Sequence, residues 1–111
     1  MGHTTIISKL TRQLKKLDLE LDSYINTISD MGCRCIVLRL KDQRMPPIRF
    51  EYWSGTLKHK LVLLNIMLEI SMTAKSTAKK CIESGANRDV VDYYDGIAEK
   101  INNAYNLNYS L

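Results

Sequence analysis

The sequence predicts a mostly helical α+β fold in which a two-stranded antiparallel hairpin packs against three helices, in the order α-β-β-α-α. Apolar residues recur at helical spacing over residues 5–31, 56–84 and 87–105. Residues 33–40 and 48–53 instead alternate apolar and polar side chains, and two prolines separate them. The chain has 111 residues, which is the length of a single domain, so we expect residues 1–111 to fold as one unit.

The first helix is predicted over about residues 5–31, because its apolar residues alternate spacings of three and four in a heptad pattern. Gly32 is a suitable terminator. At 1.5 Å per residue such a helix is roughly 40 Å long, which is more than a compact domain of this size needs. We therefore expect its apolar seam to bury against a second chain in a dimer. The seam residues are Ile7, Leu10, Leu14, Leu17, Leu21, Tyr24 and Ile28.

Charge along this predicted helix is divided between a basic first half, which includes Lys15 and Lys16, and an acidic stretch from Asp18 to Asp22. Antiparallel association would place basic halves beside acidic halves, whereas parallel association would bring like charges together. The division favours antiparallel pairing but leaves the orientation open. Packing of the seam against the chain's own longest helix is the alternative to a dimer.

The hairpin is predicted over about residues 33–53. Two runs of alternating residues, 33–40 and 48–53, are separated by Pro46 and Pro47, which cannot continue a strand ladder and so indicate a loop. Parity assigns one set of apolar side chains to the face that meets the helices. That set is Ile36, Leu38, Leu40, Ile48, Phe50 and Tyr52.

Two further helices are predicted, over about residues 56–84 and 87–105. The centre of the first, residues 61–68, is apolar almost all round, which is typical of a core helix and too short to cross a bilayer. Gly85 separates the two helices, and Asn87 is a suitable N-cap for the second. The tail, residues 106–111, is expected to fray.

Basic residues concentrate around the predicted hairpin. Although the formal net charge is only +4, residues 34–60 contain seven Lys or Arg residues against two acidic ones. An outward hairpin face with arginine and tryptophan suits an acidic protein surface or nucleic-acid phosphates; an ordinary solvated face is the alternative. The residues expected to bind a partner or polyanion are Arg39, Lys41, Arg44, Arg49 and Trp53.

Metal binding and catalysis are disfavoured. Cys33, Cys35, Cys81 and His59 could supply the four ligands of a zinc site by count, but His59 and Cys81 lie roughly 33 Å apart if their helix is continuous. Three cysteines without a signal-peptide pattern indicate a reducing, cytoplasmic setting. We find no catalytic motif, and we expect no metal or other cofactor.

The sequence therefore favours a small non-enzymatic protein-interaction module, such as an adaptor, an inhibitor or a regulatory subunit. It would act as a helical homo-oligomer, a dimer, with a basic hairpin surface and no membrane attachment. A protein partner is favoured over nucleic acid. The alternative is a dimeric nucleic-acid-binding regulator that uses the same Arg-rich hairpin.

Overall fold

The computed structural model describes the backbone of residues 2–105 and the side chains of residues 6–105. The elements are helix α1 (Gly2–Lys16), strands β1 (Leu21–Ile28), β2 (Cys33–Leu40) and β3 (Ile48–Trp53), and helices α2 (His59–Glu83) and α3 (Arg88–Ala104). The tail for which fraying was predicted lies outside the described residues.

The prediction of one helix over residues 5–31 is wrong. The helix ends at Lys16, and residues 21–28 form a strand, so the order is α-β-β-β-α-α and the sheet has three strands rather than two. Of the predicted seam, only Ile7, Leu10 and Leu14 lie on a helix. The last three seam residues belong to β1, so no continuous helical seam exists to form a zipper.

Helix α1 is followed by a residue in the left-handed conformation, Asp18, and no glycine in the sequence marks this position. Asp18 has φ 59°, its N–H donates to the carbonyl of Lys15 at 3.1 Å, and the N–H of Leu19 donates to the carbonyl of Leu14 at 2.8 Å. These bonds form a Schellman motif, in which the left-handed position usually holds glycine. Leu14 and Leu19 are both buried, which supplies the apolar contact that accompanies this motif.

Strand β1 forms because residues 23–29 favour extended backbone once the helix has ended. The run Ser-Tyr-Ile-Asn-Thr-Ile-Ser contains three β-branched residues and two serines, all poor helix formers. Four residues, from Ser29 to Gly32, connect this strand to β2, and the φ of 89° at Gly32 suits glycine. There the Ser29 N–H donates to the Cys33 carbonyl at 2.9 Å.

The three strands form one antiparallel sheet in the order β1-β2-β3, so β1 and β3 are its edges. The two strands predicted after residue 33 do pair with each other, with Ile36 opposite Phe50 and Leu38 opposite Ile48. These residues lie on the face that meets the helices, here called the inner face. Ile36, Leu38 and Ile48 are buried there.

Helix α2 is the centre of the core. Val62, Ile66, Met67 and Ile70 are fully buried, and the helix packs against α3, β3 and α1. By length and composition alone α2 could cross a membrane, but the core helix of a soluble protein can pass the same test. The Ser71 hydroxyl lies 2.9 Å from the side-chain oxygen of Asn102 and links α2 to α3.

Candidate functional site

The sheet has a second face that points away from the helices, here called the outer face. None of its described side chains is buried, whereas the inner face supplies part of the core. Strand parity and the pairing register place these residues on it: Ser23, Ile25, Thr27, Cys33, Cys35, Val37, Arg39, Arg49, Glu51 and Trp53. Within the described part of the chain, this side of the sheet is therefore left uncovered.

Three of the five residues predicted to bind a partner lie on the outer face. Arg49 is directly opposite Val37, Trp53 is opposite Cys33, and Arg39 lies near the far end of β2. At about 3.3 Å per residue, Arg39 and the Trp53 end of the sheet are separated by roughly 20 Å. They share a face without forming one compact cluster.

Carboxylates neutralise two of the predicted cations. Arg49 Nε lies 2.7 Å from Glu51 Oε1, and Lys41 Nζ lies 3.3 Å from Glu20 Oε2. The hydrogen bond and charge of Arg49 lower the pKa of Glu51, and the same hydrogen bond raises the pKa of Arg49. Both pairs are solvent-exposed, so they contribute little to stability. They do remove positive charge from the surface expected to attract phosphates.

Arg44 points away from the outer face. Its Nη1 lies 3.5 Å from the Sγ of Cys81 on α2, where both residues line a surface cavity of about 480 Å³ with Thr77 and Lys80. The structure therefore does not bring Arg44 together with the predicted residues on the sheet.

The cysteines and the histidine considered as metal ligands are spread over the molecule. Cys33 and Cys35 share the outer face, Cys81 contacts Arg44, and His59 begins α2. Cys33 Sγ lies 3.8 Å from Glu51 Oε2, and partial burial together with that carboxylate raises the pKa of the Cys33 thiol. Within the described residues, no three His, Cys, Asp or Glu side chains are grouped to hold a metal ion.

The free edge of β1 is the feature that the sequence interpretation missed. The Ser29 N–H donates across the ladder to the Cys33 carbonyl, so alternation along the strand directs the N–H and C=O groups of Ile25 and Thr27 toward β2. The corresponding groups of Tyr24, Asn26 and Ile28 point outward. Among the described strands, none pairs with that side of β1.

Side chains on both faces of this edge are apolar and accessible. Tyr24 and Ile28 are each 49% exposed on the inner side, and Ile25 is 59% exposed on the outer side. Residues 23–29 contain no charged residue and no proline, the usual protections against unwanted strand pairing. Two features of the sequence could have indicated this edge. Residues 24, 26 and 28 are alternate positions that share one face of a strand, and residues 23–29 carry no charge.

Comparisons of this chain with protein-family models, curated proteins and solved structures find no match. Function is therefore inferred from the chain's own surfaces.

Proposed function

We propose that this chain is a small non-enzymatic protein-interaction module that associates through the free edge of β1, with a second copy of itself as partner. The observation that carries the proposal is the uncharged edge with exposed Tyr24, Ile25 and Ile28. An edge of this kind is a template for strand addition. This surface replaces the helical seam, which the fold does not contain.

The edge is self-complementary in one antiparallel register. Pairing centred on Asn26 sets Tyr24 of one copy opposite Ile28 of the other, and it uses all three outward-facing residues of each strand. Each such residue pair exchanges two main-chain hydrogen bonds. The two three-stranded sheets then form one continuous six-stranded sheet. Each Tyr24–Ile28 contact adds roughly 0.2–1 kcal/mol.

Salt dependence separates self-association from nucleic-acid binding. In the register centred on Asn26, Asp22 of one copy comes opposite Asp30 of the other, so screening by salt strengthens the dimer. Nucleic-acid binding weakens steeply with salt because counterions are released. The ion pairs of Lys41 and Arg49 with carboxylates support a protein partner over phosphates.

Sedimentation equilibrium across the micromolar range tests the proposal with two lysine variants. The unaltered chain is expected to form a dimer that tightens with added salt. Ile28→Lys is expected to weaken dimerisation about tenfold or more, because a charge enters two symmetric contacts. Ile82→Lys is the matched control, since Ile82 is 59% exposed on α2, and it should dimerise as the unaltered chain does.

A monomeric unaltered chain, or equal dimerisation of both variants, would exclude the β1 edge as the association surface. An association that weakens as salt is added would also contradict it. Tight binding of single- or double-stranded nucleic acid at low salt, lost in Arg39→Glu, would instead support the alternative nucleic-acid function.

A further inference from the structure

A second cavity, of about 180 Å³, lies between the inner face of the sheet, α1 and the first turn of α2. Its lining carries polar side chains and is separate from the main-chain edge described above. The polar lining residues are Asn26, Arg34, Tyr52, Ser54 and His59.

Arg34 is the charged centre of this cavity. It lies on the inner face, opposite Ile28 of β1 and Tyr52 of β3, and is partly buried. Within the described part of the chain, no carboxylate lies within 4.0 Å of its guanidinium, and no acidic residue lines the cavity. A partly buried cation without a counterion is unfavourable unless an anion compensates it.

Asn26 provides an independent observation at the same cavity. Its side-chain oxygen is fully buried, and it has no hydrogen-bond partner. Buried polar atoms are almost always paired, so this oxygen indicates a missing hydrogen donor. A ligand that fits both residues carries negative charge for Arg34 and an O–H hydrogen for Asn26.

The electrostatic surroundings favour the same ligand. The cavity adjoins the start of α2, where Lys58, His59 and Lys60 follow one another. No acidic residue occupies the first turn of this helix, and the side chain of its N-cap residue, Lys58, makes no capping hydrogen bond. Cations at a helix N-terminus oppose its dipole, and a bound anion offsets both unfavourable terms. The hydroxyls of Ser54 and Tyr52 add further hydrogen-bond donors.

We propose that this cavity binds a phosphate group, either inorganic phosphate or a small phosphate monoester that carries hydroxyls. Hydrogen phosphate supplies both a negative charge to compensate Arg34 and an O–H for Asn26, and a guanidinium can bind a phosphate through two parallel hydrogen bonds. The proposal does not depend on association through β1, because Arg34 points into the cavity and not toward the free edge.

Thermal unfolding and titration calorimetry test the site with inorganic phosphate and with glycerol phosphate, each against sodium chloride of equal ionic strength. Phosphate is expected to raise the unfolding midpoint of the unaltered chain in proportion to the logarithm of ligand concentration. In Arg34→Met the midpoint without phosphate should rise, because an uncompensated cation is removed, and the phosphate effect should disappear. The matched control is Arg39→Met, five residues along the same strand on the outer face, which should keep the full phosphate effect.

Equal phosphate effects in Arg34→Met and Arg39→Met, or no phosphate effect beyond that of sodium chloride in the unaltered chain, would overturn the proposal. If Arg34→Met does not fold, Ser54→Ala serves instead and should weaken phosphate binding severalfold. Unchanged phosphate binding in Ser54→Ala would overturn the proposal. A larger effect of glycerol phosphate than of inorganic phosphate identifies a monoester as the ligand, and equal effects identify phosphate itself.

Discussion

Leu14→Ala is expected to lower the free energy of unfolding by about 3 kcal/mol, whereas Ile28→Ala should lower it by less than about 1 kcal/mol. Leu14 is fully buried in the core, so its truncation leaves a cavity. Ile28 lies at the free edge of β1, where half of its surface already meets solvent. A continuous helical seam over residues 5–31 would bury both Leu14 and Ile28, and it predicts that the two substitutions lower the free energy of unfolding by similar amounts.

Urea unfolding followed by circular dichroism measures this difference, at protein concentrations low enough to keep the chain monomeric. Ile82→Ala on α2 is the control for truncating an exposed isoleucine, and it should resemble Ile28→Ala. Losses of equal size for Leu14→Ala and Ile28→Ala would contradict the placement of residues 21–28 in an edge strand.

Tyr94→Phe is expected to cost about 1–3 kcal/mol at neutral pH, because it removes a hydrogen bond to a charged group in a partly buried place. The Tyr94 hydroxyl lies 2.7 and 2.9 Å from the two carboxylate oxygens of Asp42, to which it donates its hydrogen. This bond ties the loop between β2 and β3 to α3. Tyr93→Phe, at an exposed neighbouring tyrosine, should leave stability unchanged.

The cost of Tyr94→Phe should also depend on pH. Burial, and then the hydrogen bond and charge of Asp42, raise the pKa of Tyr94 above the usual value of tyrosine. Because the pKa is higher in the folded state, the stabilisation is complete below pH of about 10 and is lost as pH rises through the folded-state value. Stability measured above pH of about 10 should therefore fall more steeply in the unaltered chain than in Tyr94→Phe. Parallel pH curves for the two proteins would contradict this bond.

Sequence patterns predicted the second half of the fold because each element there follows a single period. The run from Leu61 to Leu68 is apolar almost all round, with Asn65 as its one polar residue, and it lies in the core helix. Alternation and the proline pair identified β2, β3 and the loop between them. These signals are strong because burial on one face sets the spacing of the apolar residues along the whole element.

The first helix was extended too far because two periods coincide. Tyr24 and Ile28 are four residues apart, which suits a helix face, but they are also alternate residues of a strand. Asp18, two residues beyond the end of α1, adopts a left-handed conformation without being glycine, so the usual terminator was absent. Burial of Leu14 and Leu19 in the core, rather than local preference, accompanies the change of direction at the end of α1.

The sequence predicted the positions of only some residues of the basic surface. Parity assigned Arg39, Arg49 and Trp53 to one face once β2 and β3 were recognised. The position of Arg44 depends on how its loop meets α2, and the pairing of Lys41 with Glu20 depends on β1 lying beside β2. Neither arrangement leaves a local pattern in the chain.

Residue-resolved amide hydrogen exchange, at two protein concentrations, tests most directly whether β1 is an open edge through which the chain pairs with itself. At low concentration the amides of Ile25 and Thr27 should be protected by β2, while those of Tyr24, Asn26 and Ile28 exchange rapidly. At high concentration all five should be protected. Uniform protection of residues 24–28 at both concentrations, or an alternating pattern that does not change with concentration, would contradict association through this edge.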